Sequence, residues 1–249
     1  MTYGNISPSG GDTDKPRNLN KRLKIILQYV STKNNILDAG CGSGGYVAAL
    51  CSLGADAYGV EFDRQKLLTA PIPIVKNTIR LLCGDIQRLP FYPGTFDVVL
   101  LNEVLEHVPN DDIALQEAYR VLRDGGTLIV FSPNRLFPFE THGVFARKSN
   151  YKIPHYIPFI PYIPLRIGKY FFQYWARNYY PWELRKKITQ VGFKIIATDY
   201  VWLTFENISG AQPGLMKRLA PLLRRLVYIL ECTPLLNVFG TSQVIIARK

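Results

Sequence analysis

The sequence predicts an α/β fold: a doubly wound, mostly parallel sheet with helices on both faces and its ligand at the carboxyl ends of the strands. Three observations predict it. Residues 36–46, ILDAGCGSGGY, are a short apolar run ending in Asp38, then Gly40, Gly42 and Gly44 at alternate positions, leading into a helix-like stretch at 46–53. Strand-like and helix-like segments then alternate through five strands. Residues 96–102, FDVVLLN, are apolar almost throughout, as expected of a strand whose sheet is covered on both faces.

Each element follows from its own pattern. Residues 1–18 are polar, hold turn-forming Gly, Pro and Ser, and lack periodicity, which predicts a flexible N-terminal arm. Leu19, Leu23, Ile26, Leu27 and Val30 recur at helical spacing, so 19–30 reads as a helix packed beside the glycine turn. In that turn glycine allows unusual dihedrals and lets a ligand approach the main chain without meeting Cβ atoms. The helix behind it offers unpaired N–H groups to the polar part of a nucleotide-like ligand.

Residues 56–61, DAYGVE, form a second strand whose last residue, Glu61, is placed to accept hydrogen bonds from ribose hydroxyls. Asp63, past the strand end, is the near alternative, or else caps a helix beginning at Arg64. Residues 79–84 read as a third buried strand, and Asp85 and Ile86 follow it at the same edge, where an acid can receive an adenine amino group. After the fourth strand, EVLEH places Glu103, Glu106 and His107 within one turn at the pocket edge. Residues 111–122 have helical spacing, and Asp124-Gly125-Gly126 turns into a fifth strand, TLIVFS. A dinucleotide-binding dehydrogenase shares the glycine turn and the ribose acid, so those two features alone leave the cofactor open.

Charge divides the chain. Residues 1–134 hold 13 Lys/Arg against 14 Asp/Glu and residues 135–249 hold 17 against 5, so the net charge of +11 comes from the second half. Of 31 aromatic residues, 15 lie at 137–182, interleaved with six prolines from Pro138 to Pro181. Residues 136–182 are too long for an ordinary connection and read as a lid inserted over the site, with Ile-Pro pairs disfavouring a helix before Leu165 and helical structure expected over 165–176.

A second insertion spans 203–239. On a helical wheel Leu219, Leu222, Leu223, Leu226, Val227, Ile229 and Leu230 fall on one half and Lys217, Arg218, Arg224 and Arg225 on the other. Pro221 fits a first turn, which predicts a helix over 220–231. Such a helix suits an anionic membrane surface, or covers its own core. Cys41, Cys51, Cys83 and Cys232 have no zinc-like spacing and read as buried reduced thiols. The polar N-terminus and the lack of a long apolar run give the expectation of a cytoplasmic protein, in peripheral contact with the inner face of a membrane.

In order and spacing, ILDAGCGSGGY, Glu61, CGDIQRLPF, FDVVLLNEVLEHV and LRDGGTLIVFSPN resemble the class I methyltransferases that use S-adenosylmethionine, and within them the type 11, ubiquinone-biosynthesis-like group. The resemblance covers 20–134 and resumes at YPWEL and at 242–247. It implies a Rossmann-like doubly wound seven-stranded sheet with an antiparallel last strand, aromatic and basic insertions lying after strand five and between strands six and seven, and 19–249 forming one domain. It also implies that Asp38 and Gly40 face the methionine part of the cofactor, that Gly42 and Gly44 give backbone access, that Glu61 holds the ribose, that Asp85 and Ile86 bracket the adenine, and that Asn102 lines the pocket.

The string EVLEH is similar to the segment of metal-assisted O-methyltransferases, but no metal is assigned from sequence, a fourth ligand being a guess at His142. His142, just after strand five, is the candidate base or substrate contact. The expected activity is O-methylation of a hydrophobic or lipid-linked small molecule. RNA methylation through the basic half is the second reading, and a non-catalytic cofactor-binding scaffold the third. The sequence leaves the oligomeric state open.

Overall fold

The computed structural model describes residues 16–31, 33–68, 80–149, 151–205 and 214–249. The first half runs α1 (Pro16–Ile26), β1 (Asn35–Ala39), α2 (Gly45–Ser52), β2 (Asp56–Glu61), α3 (Arg64–Leu68), β3 (Leu81–Cys83), β4 (Phe96–Asn102), α4 (Asp111–Val121) and β5 (Leu122–Pro133). The second half runs β6 (Val144–Ala146), α5 (Leu165–Phe171), β7 (Phe172–Tyr174), α6 (Pro181–Val191), β8 (Lys194–Val201), α7 (Gly214–Cys232), α8 (Pro234–Asn237) and β9 (Ser242–Arg248). Seven strands form one sheet in the order β3-β2-β1-β4-β5-β9-β8, parallel except for β9, which runs antiparallel to both neighbours.

Successive residues of a strand point to opposite faces, and here both faces are buried. Leu37, Val99, Leu101, Leu128 and Val130 pack with Leu115 of α4 and with Leu184 and Ile188 of α6. Their neighbours Ile36, Val98, Leu100, Ile129 and Phe131 pack on the other face with Leu23 and Ile26 of α1 and Tyr46 and Leu50 of α2. The unbroken apolar runs of β1, β4 and β5 are the sequence record of this double burial.

Some boundaries differ from expectation. Helix α1 opens at Pro16, a residue suited to a first turn because it lacks the N–H that would go unpaired there, so residues 16–18 belong to the helix and the rest of the expected arm lies outside the described residues. It ends at Ile26, after which Gln28 and Tyr29 donate three residues back to Ile25 and Ile26, a tighter turn. In the first insertion α5 stops at Phe171 rather than near 176, because Phe172–Tyr174 pairs antiparallel with Val144–Ala146.

Helix α7 begins at Gly214, so Pro221 lies inside it rather than in its first turn. Pro221 there removes one backbone hydrogen bond from the helix, and the neighbouring Ala220 is buried. The reading of four buried thiols is corrected: none forms a disulfide, but only Cys41 is buried, Cys51 is half-buried, and Cys83 and Cys232 are exposed, Cys83 because β3 lies at the sheet edge.

Candidate active site

The sequence-predicted residues gather at the carboxyl ends of the strands. The backbone N–H groups of Gly40 and Cys41 both donate to the carbonyl of Val60, at 2.7 and 3.0 Å, which fastens the glycine turn across to β2. Gly40, Gly42 and Gly44 all take positive φ, 93°, 57° and 80°, but they serve different ends. A Cβ on Gly40 would overlap the Val104 side chain, and one on Gly44 would lie 2.8 Å from Leu81 Cδ1. A Cβ on Gly42 would meet nothing within 4 Å. Two of the glycines therefore let neighbouring segments pack, and Gly42 opens onto a cradle beside the N-terminus of α2.

Glu61 closes the side of that cradle. Its two carboxylate oxygens accept from the backbone N–H groups of Gly42 and Asp63, each at 2.9 Å, leaving further lone pairs for a ligand. Asp38 at the end of β1 and Ile86 beyond β3 are buried. Asp85 accepts from the Gln87 backbone at 2.8 Å, which orients its carboxylate in a tight turn. Asp63 accepts from the Gln65 N–H at 2.9 Å and so caps α3.

Beyond β4 the chain turns sharply. Glu103 has φ 53°, a left-handed conformation rare outside glycine, and it follows Asn102 directly at the sheet edge. The turn brings Glu103 and Glu106 inward, and His142 meets them from the loop after β5: its Nε2 lies 3.5 Å from Glu106 Oε1 and 3.8 Å from Glu103 Oε2. His107 Nε2 lies 3.9 Å from Glu106 Oε1, and the two imidazole rings are 5.2 Å apart. Glu106 is fully buried with neither carboxylate oxygen hydrogen-bonded. Burial, and then the charge of Glu103, push its carboxyl well above the usual range. Burial acts the same way on Glu103, but Arg22, His142 and the Ser242 hydroxyl outweigh it and bring Glu103 down to about 2. Burial and then the nearby His142 lower His107 to about 4.

Two residues of this site were not singled out from sequence. Arg22 of α1 is buried and its guanidinium donates to Asn102 Oδ1 at 2.6 Å, Glu103 Oε1 at 2.8 Å and Ser242 Oγ at 2.8 Å. It ties the first helix, the end of β4 and the start of β9 into one point, and it orients the carboxamide of Asn102. An arginine on an amphipathic helix carries no local signal of this, since the three partners at the site lie 80 to 220 positions away. Glu140 is the second: it accepts from the His142 backbone N–H at 3.0 Å and from Asn178 Nδ2 at 2.8 Å, holding the histidine loop against the returning chain.

A family model described as Methyltransferase domain matches residues 37–130. A sterol 4-C-methyltransferase of Caenorhabditis elegans is 28% identical over 154 residues, covering 57% of this chain and 44% of that protein. A ubiquinone biosynthesis O-methyltransferase of Colwellia psychrerythraea is 30% identical over 143 residues, 54% of this chain and 58% of that one. The chain spans about half the length of these curated relatives. In fold it is similar to the crystal structure of an S-adenosylmethionine-dependent methyltransferase from Mesorhizobium loti, with a TM-score of 0.60, 14% identity, and coverage of 92% of this chain and 96% of that one.

Residues 37–130 match a methyltransferase domain, and the fold around them is that of S-adenosylmethionine-dependent methyltransferases. The matched segment is similar to the type 11 group. The cradle at Gly42, walled by Glu61 and backed by the α2 N-terminus, fits a nucleoside with a polar tail.

Proposed function

We propose that this chain transfers the methyl group of S-adenosylmethionine to an oxygen atom of a hydrophobic or lipid-linked small molecule. In this reading Asp38, Gly40, Gly42, Gly44, Glu61, Asp85, Ile86 and Asn102 hold the cofactor. The cofactor supplies an electrophilic methyl on a sulfonium, and transfer is an in-line displacement, so alignment is the main demand. An amine acceptor has a free lone pair, whereas a hydroxyl must lose a proton. The observation that carries the choice of oxygen is the convergence of His142, Glu106 and Glu103 within 3.8 Å at the strand ends. For a hydroxyl acceptor, His142 Nε2 would take the proton, and the bound cofactor would supply the electrophilic methyl and leave as a neutral thioether. The aromatic lid, with Phe137 against Phe139 and Phe145 against Trp175, supports a hydrophobic acceptor.

The same side chains fit a divalent cation. Ligand atoms of Glu106, His107 and His142, one from each, lie within 4.8 Å of one another, and neither Glu106 oxygen is taken up by a hydrogen bond. Glu103 would add its Oε2, the oxygen not engaged by Arg22. Such an ion would polarise the acceptor oxygen.

The test is transfer of tritiated methyl from S-adenosylmethionine into fractionated lipid, RNA and protein extracts, with and without chelator. Label in the organic phase is expected. Label confined to RNA would replace the present reading with RNA methylation, and full turnover after chelation would remove the cation and leave His142 as the base.

A further inference from the structure

The geometry points to a membrane-docking surface at the mouth of the site: we propose that α7 and the lid seat this protein on an anionic phospholipid bilayer. An amphipathic helix that covers its own core turns its apolar face inward, and α7 does the opposite. Taking about 100° per residue, Ala220, Arg224 and Glu231 fall within about 40° of one another on one side of the helix. That side is the anchored one. Ala220 is buried, Arg224 donates to the carbonyls of Thr204 and Phe205 at 3.1 and 3.3 Å, and Glu231 pairs with Lys21 of α1 at 2.6 Å. Leu222, Leu226 and Ile229 lie on the opposite side and are 63%, 52% and 60% exposed. The chain continues this ridge past the helix with Leu235, 85% exposed, and Phe239.

A second apolar surface stands beside it. Leu165, Ile167, Tyr170 and Phe171 of α5 are all exposed, as is Phe159 just before. The two surfaces are fixed at neighbouring residues beyond β5. Asn134 Nδ2 donates to the carbonyls of Val238 and Gly240 at 2.8 and 2.7 Å, pinning the segment after α8. Arg135 donates to the carbonyls of Pro161 and Ile163 at 2.7 and 3.0 Å, pinning the segment before α5. Both therefore emerge at the carboxyl edge of the sheet, where the candidate site opens.

Charge complementarity selects the occupant. Residues 141–182 contain six Lys/Arg and no Asp/Glu, and Arg166, Lys169 and Arg225 are exposed among the apolar side chains. Basic residues interleaved with exposed leucine, isoleucine and tyrosine suit the headgroup boundary of an anionic bilayer. A second copy of this chain would bring the same uncompensated positive charge against itself. RNA would find few flat rings on α7, whose ridge is aliphatic. No helix among the described residues is long and apolar enough to cross a membrane, so the contact is peripheral.

The test uses the full chain and flotation with vesicles of phosphatidylcholine, alone or mixed with phosphatidylglycerol. Binding is expected to the mixed vesicles and to fall steeply in the neutral ones. Leu226→Asp with Ile229→Asp should weaken it more than about tenfold, since two buried aliphatic side chains are lost. Arg166→Glu with Lys169→Glu should weaken it by at least about tenfold and remove the preference for anionic lipid. These residues are exposed and lie outside the cofactor cradle, so cofactor affinity measured on the same variants is expected to stay unchanged and reports that they fold. Absence of flotation at every composition, or equal flotation by the Asp variants, would overturn the proposal. So would a concentration-dependent dimer or low-salt RNA retention that those variants abolish. Failure of the acceptor reading would appear separately, as no methyl transfer to lipid by protein that still floats.

Discussion

Residues 35–133 and the two insertions treat the same kinds of side chain in opposite ways. In the first region the leucines, valines and isoleucines of β1, β4 and β5 are buried on both faces of the sheet, and Asp38, Glu61, Asp85 and Glu103 stand at or just past the carboxyl ends of strands. In the insertions Leu222, Ile229, Ile167 and Phe171 face outward among lysines and arginines. The difference separates two tasks. The glycine-turn end is shaped largely by backbone, through positive φ at Gly40, Gly42 and Gly44 and the N–H groups of Gly40 and Cys41. The insertions present their character through exposed side chains, which another sequence is free to change.

The largest expected effect concerns Arg22, which ties the first helix and the start of β9 to the end of β4. Arg22→Ala would leave Glu103 buried beside Glu106 with its guanidinium partner gone, a loss of about 3–5 kcal/mol. Urea denaturation measures it, and an unchanged midpoint would show that the pair does not hold the N-terminal helix to the site. A smaller effect sharpens the contrast between glycines that pack and the one that opens. Gly40→Ala should cost about 2–4 kcal/mol, from overlap with Val104 added to strained φ. Gly42→Ala should cost only about 1–2 kcal/mol from φ, yet weaken cofactor binding more than its effect on stability. Calorimetric titration of both variants separates the roles, and equal behaviour would break the distinction.

The smallest effect is in pH. Asp111 joins the core to the returning lid, accepting from the Tyr179 hydroxyl at 2.7 Å and from Lys187 at 3.1 Å. Burial would raise its carboxyl, but these donors outweigh burial and hold it below the ordinary value of 3.8. The stability it contributes is therefore complete above that value and is lost as pH falls through the lowered one. Thermal melts from neutral to strongly acidic pH should show a steeper acid limb for the parent than for Asp111→Asn. Identical limbs would mean that this junction contributes nothing.

Much of the cofactor end was legible because a doubly covered sheet writes long apolar runs, and because glycines and acids must fall where those runs stop. The site's other half was not. Arg22 looks like any solvated arginine on a helix until Asn102 and Ser242 are folded against it. Strand β6, at Val144–Ala146, is too short to show alternation, and the apolar spacing of 165–176 suits a helix equally well until pairing with β6 ends that helix. For α7, the wheel gave two faces but not which one meets the protein. Contacts of Arg224 and Glu231 decide that, and their partners are distant carbonyls and a lysine in α1.

The central claim is that the buried acids and His142 act on the acceptor and not on the cofactor. Glu106→Gln keeps the shape of a fully buried side chain while removing the carboxyl that could exchange a proton or ligate a cation. Tritiated methyl transfer into a lipid extract should fall by at least about 100-fold in this variant, with cofactor affinity changed by less than about twofold. Transfer at the parent rate, or loss of cofactor binding in step with loss of transfer, would contradict the account.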